Sequence, residues 1–160
     1  MTISIDGHNP EEITNALEEA KADIAGLNSL VLLMKKGVEN QEKSKEFYVS
    51  YLGSLFRSIR FGLDQAHGKA ATISLNYLLE NGGLLYNPDT KKWSVDFDNF
   101  ENGVNSLAGE LLILLGNGDN ANVQIFFNKW AVISPELKTS LDLVSDIAID
   151  VLPVRSINWD

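Results

Sequence analysis

Six apolar residues, Leu17, Ala20, Ile24, Leu27, Val31 and Met34, recur at alternating three- and four-residue steps. That spacing draws one stripe along an α-helix and commits the start of the chain to a long amphipathic element. Asn9 can cap it, Pro10 suits its first turn, and Glu11 and Glu12 suit its positive end. The pattern predicts a helix running to about Lys36, ended by Gly37. Glu19 and Asp23 lie four apart on one flank of the stripe. Like charges at that spacing oppose a helix by about 0.2–0.5 kcal/mol unless a cation or donor sits between them. Ala22 and Gly26 lie beside them, small enough for another element to approach closely. Three acids (Glu18, Glu19, Asp23) beside a smooth patch read either as half of a site or as a solvated acidic face.

Length and charge bound the rest. A chain of 160 residues is expected to form a single domain, 1–160, with residues 1–10 as an extended lead-in. The formal net charge of −9 argues against nucleic acid, whose phosphates need clustered Lys and Arg, and against an anionic membrane surface. With no cysteine there is no disulfide framework, no thiolate nucleophile and no Cys-based zinc site. No basic leader and no apolar run long enough for a membrane span is visible, so a cytoplasmic location is expected, with a periplasmic or envelope parent compatible.

Beyond a polar connection at Val38 to Lys45, a second helix is expected from about Ser44 to Phe61. It carries Phe47, Tyr48, Tyr51, Leu52, Leu55, Phe56 and Ile59 on one broad face. Arg57 and Arg60 share a side of it. They suit surface pairing with acids such as Asp64, or the gripping of a substrate carboxylate or carbonyl. His67 opens the next helix, to about Glu80, with small neighbours Ala70, Ala71 and Ser74. Small neighbours leave room for a ligand, and they equally suit a tight helix crossing. Asn87 to Lys92 reads as the turn of a small β-hairpin. Asp96 or Asp98 is expected to cap a helix whose Phe100, Val104, Leu107, Leu111 and Leu114 face inward. A shorter helix carries Val123, Phe126, Phe127 and Trp130. Ser134-Pro135-Glu136 opens another with Leu137, Leu141 and Val144. Alternation from Ile147 to Val151 reads as a terminal extended piece that Pro153 would hold to an edge. The fold class expected is mainly α: about six helices with one small β-hairpin.

Glu18-Glu19-Ala20-Lys21-Ala22-Asp23 resembles the second zinc motif of the dipeptidyl-peptidase III family of metallopeptidases. Phe56-Arg57-Ser58-Ile59-Arg60-Phe61-Gly62, followed by Ala66-His67-Gly68-Lys69, resembles the histidine segment of that family's bacterial and plant branch. Similarity continues through Asn76-Tyr77-Leu78-Leu79-Glu80 and Val95-Asp96-Phe97. The resemblance covers most of this chain but only the C-terminal part of the family's enzyme. It implies zinc as cofactor and a peptide as substrate, with Glu19 as a zinc ligand. It makes Glu18 and Asp23 acids that hydrogen-bond the ligating histidines, and His67 an active-site residue that steadies substrate or transition state. Arg57 and Arg60 would bind substrate. Lys21 stands where other members have arginine, and Ala20 where some have cysteine.

The family's remaining zinc ligands are two histidines on a helix that also bears the general-base glutamate. Here the two histidines, His8 and His67, are far apart and neither is followed by Glu. A catalytic zinc needs about three protein ligands and a water. The expectation is therefore a C-terminal piece of a zinc peptidase, inactive alone, whose partner is the missing N-terminal catalytic portion. The competing expectation is a non-catalytic helical interaction module that keeps the fold. A homo-oligomer through the exposed acidic, small-residue face is a further expectation.

Overall fold

The computed structural model describes residues 9–150. His8, most of the expected lead-in and the stretch from Val151 through Pro153 lie outside them. The elements run α1 (Pro10–Lys35), a short 3-10 turn (Gln41–Lys43), α2 (Ser44–Ile59), α3 (Ala66–Glu80), β1 (Leu84–Asn87), β2 (Lys92–Val95), α4 (Phe100–Asn117), α5 (Asn120–Trp130) and α6 (Pro135–Leu143). Six helices and one hairpin make the fold mainly α, as the periodicities imply.

α1 begins where the Asn9 side chain accepts from the Glu11 amide, and all six stripe residues are buried. The helix on which the others rest is α3. Every residue from Gly68 to Leu78 is buried, so it has no polar face and sits between α1, α2, α4 and α5. A helix buried all round is apolar or satisfies its polar groups internally, and α3 does the latter. Thr72 Oγ1 donates to the Gly68 carbonyl at 2.8 Å. Asn76 Nδ2 donates to the carbonyls of Trp130 at 2.8 Å and Val132 at 2.7 Å, tying α3 to the end of α5. The buried ammonium of Lys69 reaches Glu12 at 3.4 Å. Ala70, Ala71 and Ser74 are buried too, so these small neighbours of His67 serve a tight crossing rather than a space for a ligand.

The hairpin is antiparallel, with Leu84 opposite Val95 and Tyr86 opposite Trp93. The Asn87 side chain accepts from the amides of Asp89 and Thr90 and so shapes the turn. Trp93 Nε1 donates to Ser140 Oγ at 2.8 Å, linking the hairpin to α6.

Two local expectations are corrected. The cap position of α4 is Asn99, without a side-chain cap bond. Asp96 instead accepts from the amides of Asp98 and Asn99, forming the turn that leads in. Residues 147–150, the described part of that piece, form bends and irregular chain rather than a strand, and Ile147 is exposed. Alternating apolar residues without a neighbouring edge to pair with do not make a strand.

Candidate functional site

The site is built where α1 passes the start of α3. Its placement depends on two glycines. A Cβ on Gly68 would lie 2.0 Å from the Gly62 carbonyl oxygen, so the first turn of α3 rests directly on the backbone after α2. Gly62 itself has φ +104, a conformation open to glycine. His67, held one residue before that contact, brings Nδ1 to 3.2 Å from Glu19 Oε2. The imidazole is 68% exposed and the Glu19 side chain 39% exposed, so the pair faces outward.

Asp23 follows one turn later on the same flank. Desolvation in its packed surroundings, then the charge of Glu19, holds its carboxyl above the usual carboxylate range, with His67 pulling the other way. Glu18 turns outward and pairs with Lys21 one turn along. The structure thus brings Glu19, Asp23 and His67 together and leaves Glu18 beside them.

Arg57 and Arg60 are engaged elsewhere. Arg57 pairs with Asp150 at 2.8 Å and lies over the Phe61 ring at 5.1 Å. Arg60 donates to the Ile147 carbonyl. Their partners are a carboxylate and a peptide carbonyl supplied by the end of the described chain, where Asp64 was the local acid expected. The chemistry is that of the expected grip, but the groups gripped are the chain's own.

Two residues escaped sequence reasoning. Lys69, given no role of its own in the sequence, is buried against Glu12. Tyr51 reads as one of several core aromatics, yet its hydroxyl is fully enclosed beside Ser74, and burial pushes its ionisation up. A basic residue inside a run of small and apolar ones was the available signal for the first. For the second there was none, because how a hydroxyl is enclosed is a property of the packing.

For a metal, the donor set falls short. Among the described residues no group of three or more His, Asp or Glu could hold an ion, and His67 is their only histidine. One carboxylate and one imidazole do not make a catalytic zinc site. These residues fit such a site only as a contribution to a larger one. No helix of the described residues is long and apolar enough to cross a membrane.

No family model matches the chain. It is 41% identical over 141 residues to Nudix hydrolase 3 of Arabidopsis thaliana, a match that takes in 88% of this chain and 18% of the plant protein. Among solved structures it superposes on dipeptidyl-peptidase III from Caldithrix abyssi with a TM-score of 0.85 and 30% identity. On dipeptidyl-peptidase III from Corallococcus sp. strain EGB it does so with a TM-score of 0.83 and 33% identity. Both cover 96% of this chain, which spans only 30% and 29% of theirs. By fold, the chain is similar to part of dipeptidyl-peptidase III, consistent with the C-terminal part of a dipeptidyl-peptidase III-like protein.

Proposed function

We propose that this chain is the part of a dipeptidyl-peptidase III-like zinc peptidase that brings one wall of the active site to a remainder holding the other ligands. The observation that carries this reading is the meeting of Glu19 and His67 across α1 and α3, with Asp23 one turn on. In the complete protein Glu19 would be a zinc-ligating carboxylate. Glu18 and Asp23 would accept from the ring N–H groups of the ligating histidines and fix their orientation. Zinc bound there would polarise the scissile carbonyl and activate a water. With its ring protonated, His67 would donate through Nδ1 to Glu19 and through Nε2 to a substrate oxygen as charge develops. Arg57 and Arg60 would take a peptide carboxylate or carbonyl once their own-chain partners give way. The peptidase activity, the zinc and the partner portion all belong to the larger protein.

The experiment is a chimera in which this chain replaces the matched segment of the Caldithrix abyssi protein. The chain alone is expected to release no dipeptide, and the chimera is expected to be active with zinc. Glu19→Gln in the chimera is expected to remove both bound zinc and turnover. Zinc content unaffected by Glu19→Gln in a folded chimera would overturn the assignment.

A second reading rests on the plant match. There the chain would be a helical segment of a hydrolase of Nudix name and not of a peptidase. A match of 41% over 141 residues carries its fold with it. The plant protein therefore holds a stretch with this helical architecture, and its name describes a protein of which that stretch is 18%. The third reading, a non-catalytic interaction module, would leave the chimera folded but without turnover.

A further inference from the structure

Asparagine followed by glycine occurs at Asn81-Gly82, Asn102-Gly103 and Asn117-Gly118. Such a pair is open to an internal reaction, because glycine has no Cβ to keep its amide nitrogen from the preceding side chain. Reaction requires that the asparagine side chain swing towards the next amide. It also requires that this amide be released from any hydrogen bond. An intact α-helix denies both, since its ladder holds each amide against a carbonyl one turn back.

Asn102 lies within α4, where the Gly103 amide bonds the Asn99 carbonyl at 3.1 Å. Gly103 is buried, and a Cβ there would lie 2.9 Å from the Leu78 side chain, so the pair has no room to turn. Asn81 follows α3, with its Nδ2 donating to the Tyr77 carbonyl at 2.9 Å and its own carbonyl accepting from Asn99 at 2.8 Å. The Gly82 amide reaches the Leu79 carbonyl at 3.4 Å, and the Asn99 side chain fills the space beside Gly82. Asn117 differs on each count. It is the last residue of α4 and is exposed. Gly118 follows in the left-handed conformation, φ +64, with nothing within 4 Å of where its Cβ would stand. Among the described residues nothing accepts from the Gly118 amide, and the Asn117 side chain makes no hydrogen bond. Helix ends fray, so this last turn opens at little cost.

We propose that Asn117 is a site of spontaneous deamidation, through a succinimide closed by the Gly118 nitrogen. That nitrogen gives up its proton and bonds Asn117 Cγ, while the Cγ–Nδ2 bond breaks and the amide group leaves as ammonia. Water then opens the ring. Cleavage of the new bond to Cγ leaves aspartate. Cleavage of the bond to the main-chain carbonyl carbon leaves isoaspartate, with an added methylene in the main chain. No electrons are gained or lost, and the reaction needs neither zinc nor the rest of the longer protein. The product puts a carboxylate at the negative end of α4, whose last turn holds no basic residue to offset it. Asn117 also borders the cavity of about 1030 Å³ between α3, α4 and α5, which Glu80, Glu110 and Asp119 already line. Deamidation thus adds charge of the same sign to that cavity and loosens the end of α4.

The test holds the whole chain at mildly alkaline pH, folded and in urea, and follows each asparagine by peptide mapping with fragment-ion mass spectrometry. In the folded chain Asn117 is expected to convert at least about tenfold faster than Asn81 or Asn102, whose amides exchange only on local opening. In urea the rates are expected to converge, since the contacts that protect the other two are gone. Equal rates in the folded chain, or conversion of Asn117 in urea alone, would overturn the assignment. Asn117→Gln should remove the early acidic species, and its persistence would place the reaction elsewhere. Asn117→Asp supplies the aspartate product in every molecule. It is expected to melt below the parent in low salt, with the gap closing in high salt as charge at the helix end is screened. A melt equal to the parent's in low salt would overturn the loosening of α4.

Discussion

At Asp23 the fold holds a carboxyl against its charged form, and the consequence for stability has a definite sign. Its folded pKa lies above the ordinary 3.8, through desolvation first and the Glu19 charge second. Between those two values the folded state binds more protons than the unfolded one, so Asp23 lowers stability as pH rises through the folded value. Asp23→Asn is therefore expected to melt above the parent at pH 7, with the difference closing as pH falls below 3.8. Thermal melts from pH 3 to 7 check this, and a variant less stable at pH 7 would mean that Asp23 is paired. Glu19→Gln is the milder case. It loses an exposed pair with His67, and such pairs contribute about 0–1 kcal/mol. It also relieves Asp23 of a neighbouring charge. The melting temperature is expected to stay level or rise slightly, and a clear fall would show Glu19 to be structural. These acids were legible in the sequence because helical spacing alone puts Glu19 and Asp23 on one flank. The partners of Arg57 and Arg60 were not, because Asp150 and Ile147 come from about ninety residues away. Spacing along the chain says nothing about such contacts.

Elements meet here through a few polar and close contacts laid over apolar packing. Glu101, in the first turn of α4, accepts from the Tyr48 hydroxyl of α2 at 2.6 Å and pairs with Lys35 at the end of α1 at 2.6 Å. Burial pushes its carboxyl up, but the Lys35 and Tyr48 hydrogen bonds outweigh that and leave it below the ordinary 4.5. Glu101 therefore stabilises the fold above the ordinary value, and this is lost as pH falls through the folded one. Glu101→Gln is expected to cost about 1–2 kcal/mol at pH 7, less in acid, as read by urea denaturation. Gly68→Ala is expected to be worse than its size implies. The new methyl would meet the Gly62 carbonyl, and overpacking of this kind costs about 1–3 kcal/mol. It should also move His67 away from Glu19, visible as a change in the His67 ring shifts by NMR. The helices with one apolar stripe, α1 and α4, were plain in the sequence. α3 could be placed but not ranked, since a helix buried all round has no stripe to show its neighbours. The end of the chain misled for a related reason. Alternation at Ile147 and Ile149 means a strand only where the segment runs along a sheet edge, and here it lies beside Ile59, Arg60 and Leu141 instead.

The molecule as a whole has the architecture of under a third of a dipeptidyl-peptidase III chain. An ion held by a whole active site is shared among ligands from several elements, and its affinity depends on their number and fixed geometry. This chain presents the carboxylate of Glu19 with His67 at 3.2 Å, and among the described residues no group of three such donors that could hold an ion. Two ligands on an exposed face leave most of an ion's coordination to water, so the gain over a hydrated ion is small. Zinc titrated into the purified chain is expected to bind weakly, with a Kd of about 0.1 mM or higher, corresponding to roughly −5 kcal/mol or weaker. Calorimetry in a non-chelating buffer reads this directly, and Glu19→Gln should weaken it further. In the chimera the same substitution should instead abolish a tight, stoichiometric site. A tight one-to-one site in the chain alone would mean that further ligands close on Glu19 without the remainder, and the division of labour proposed here would fail.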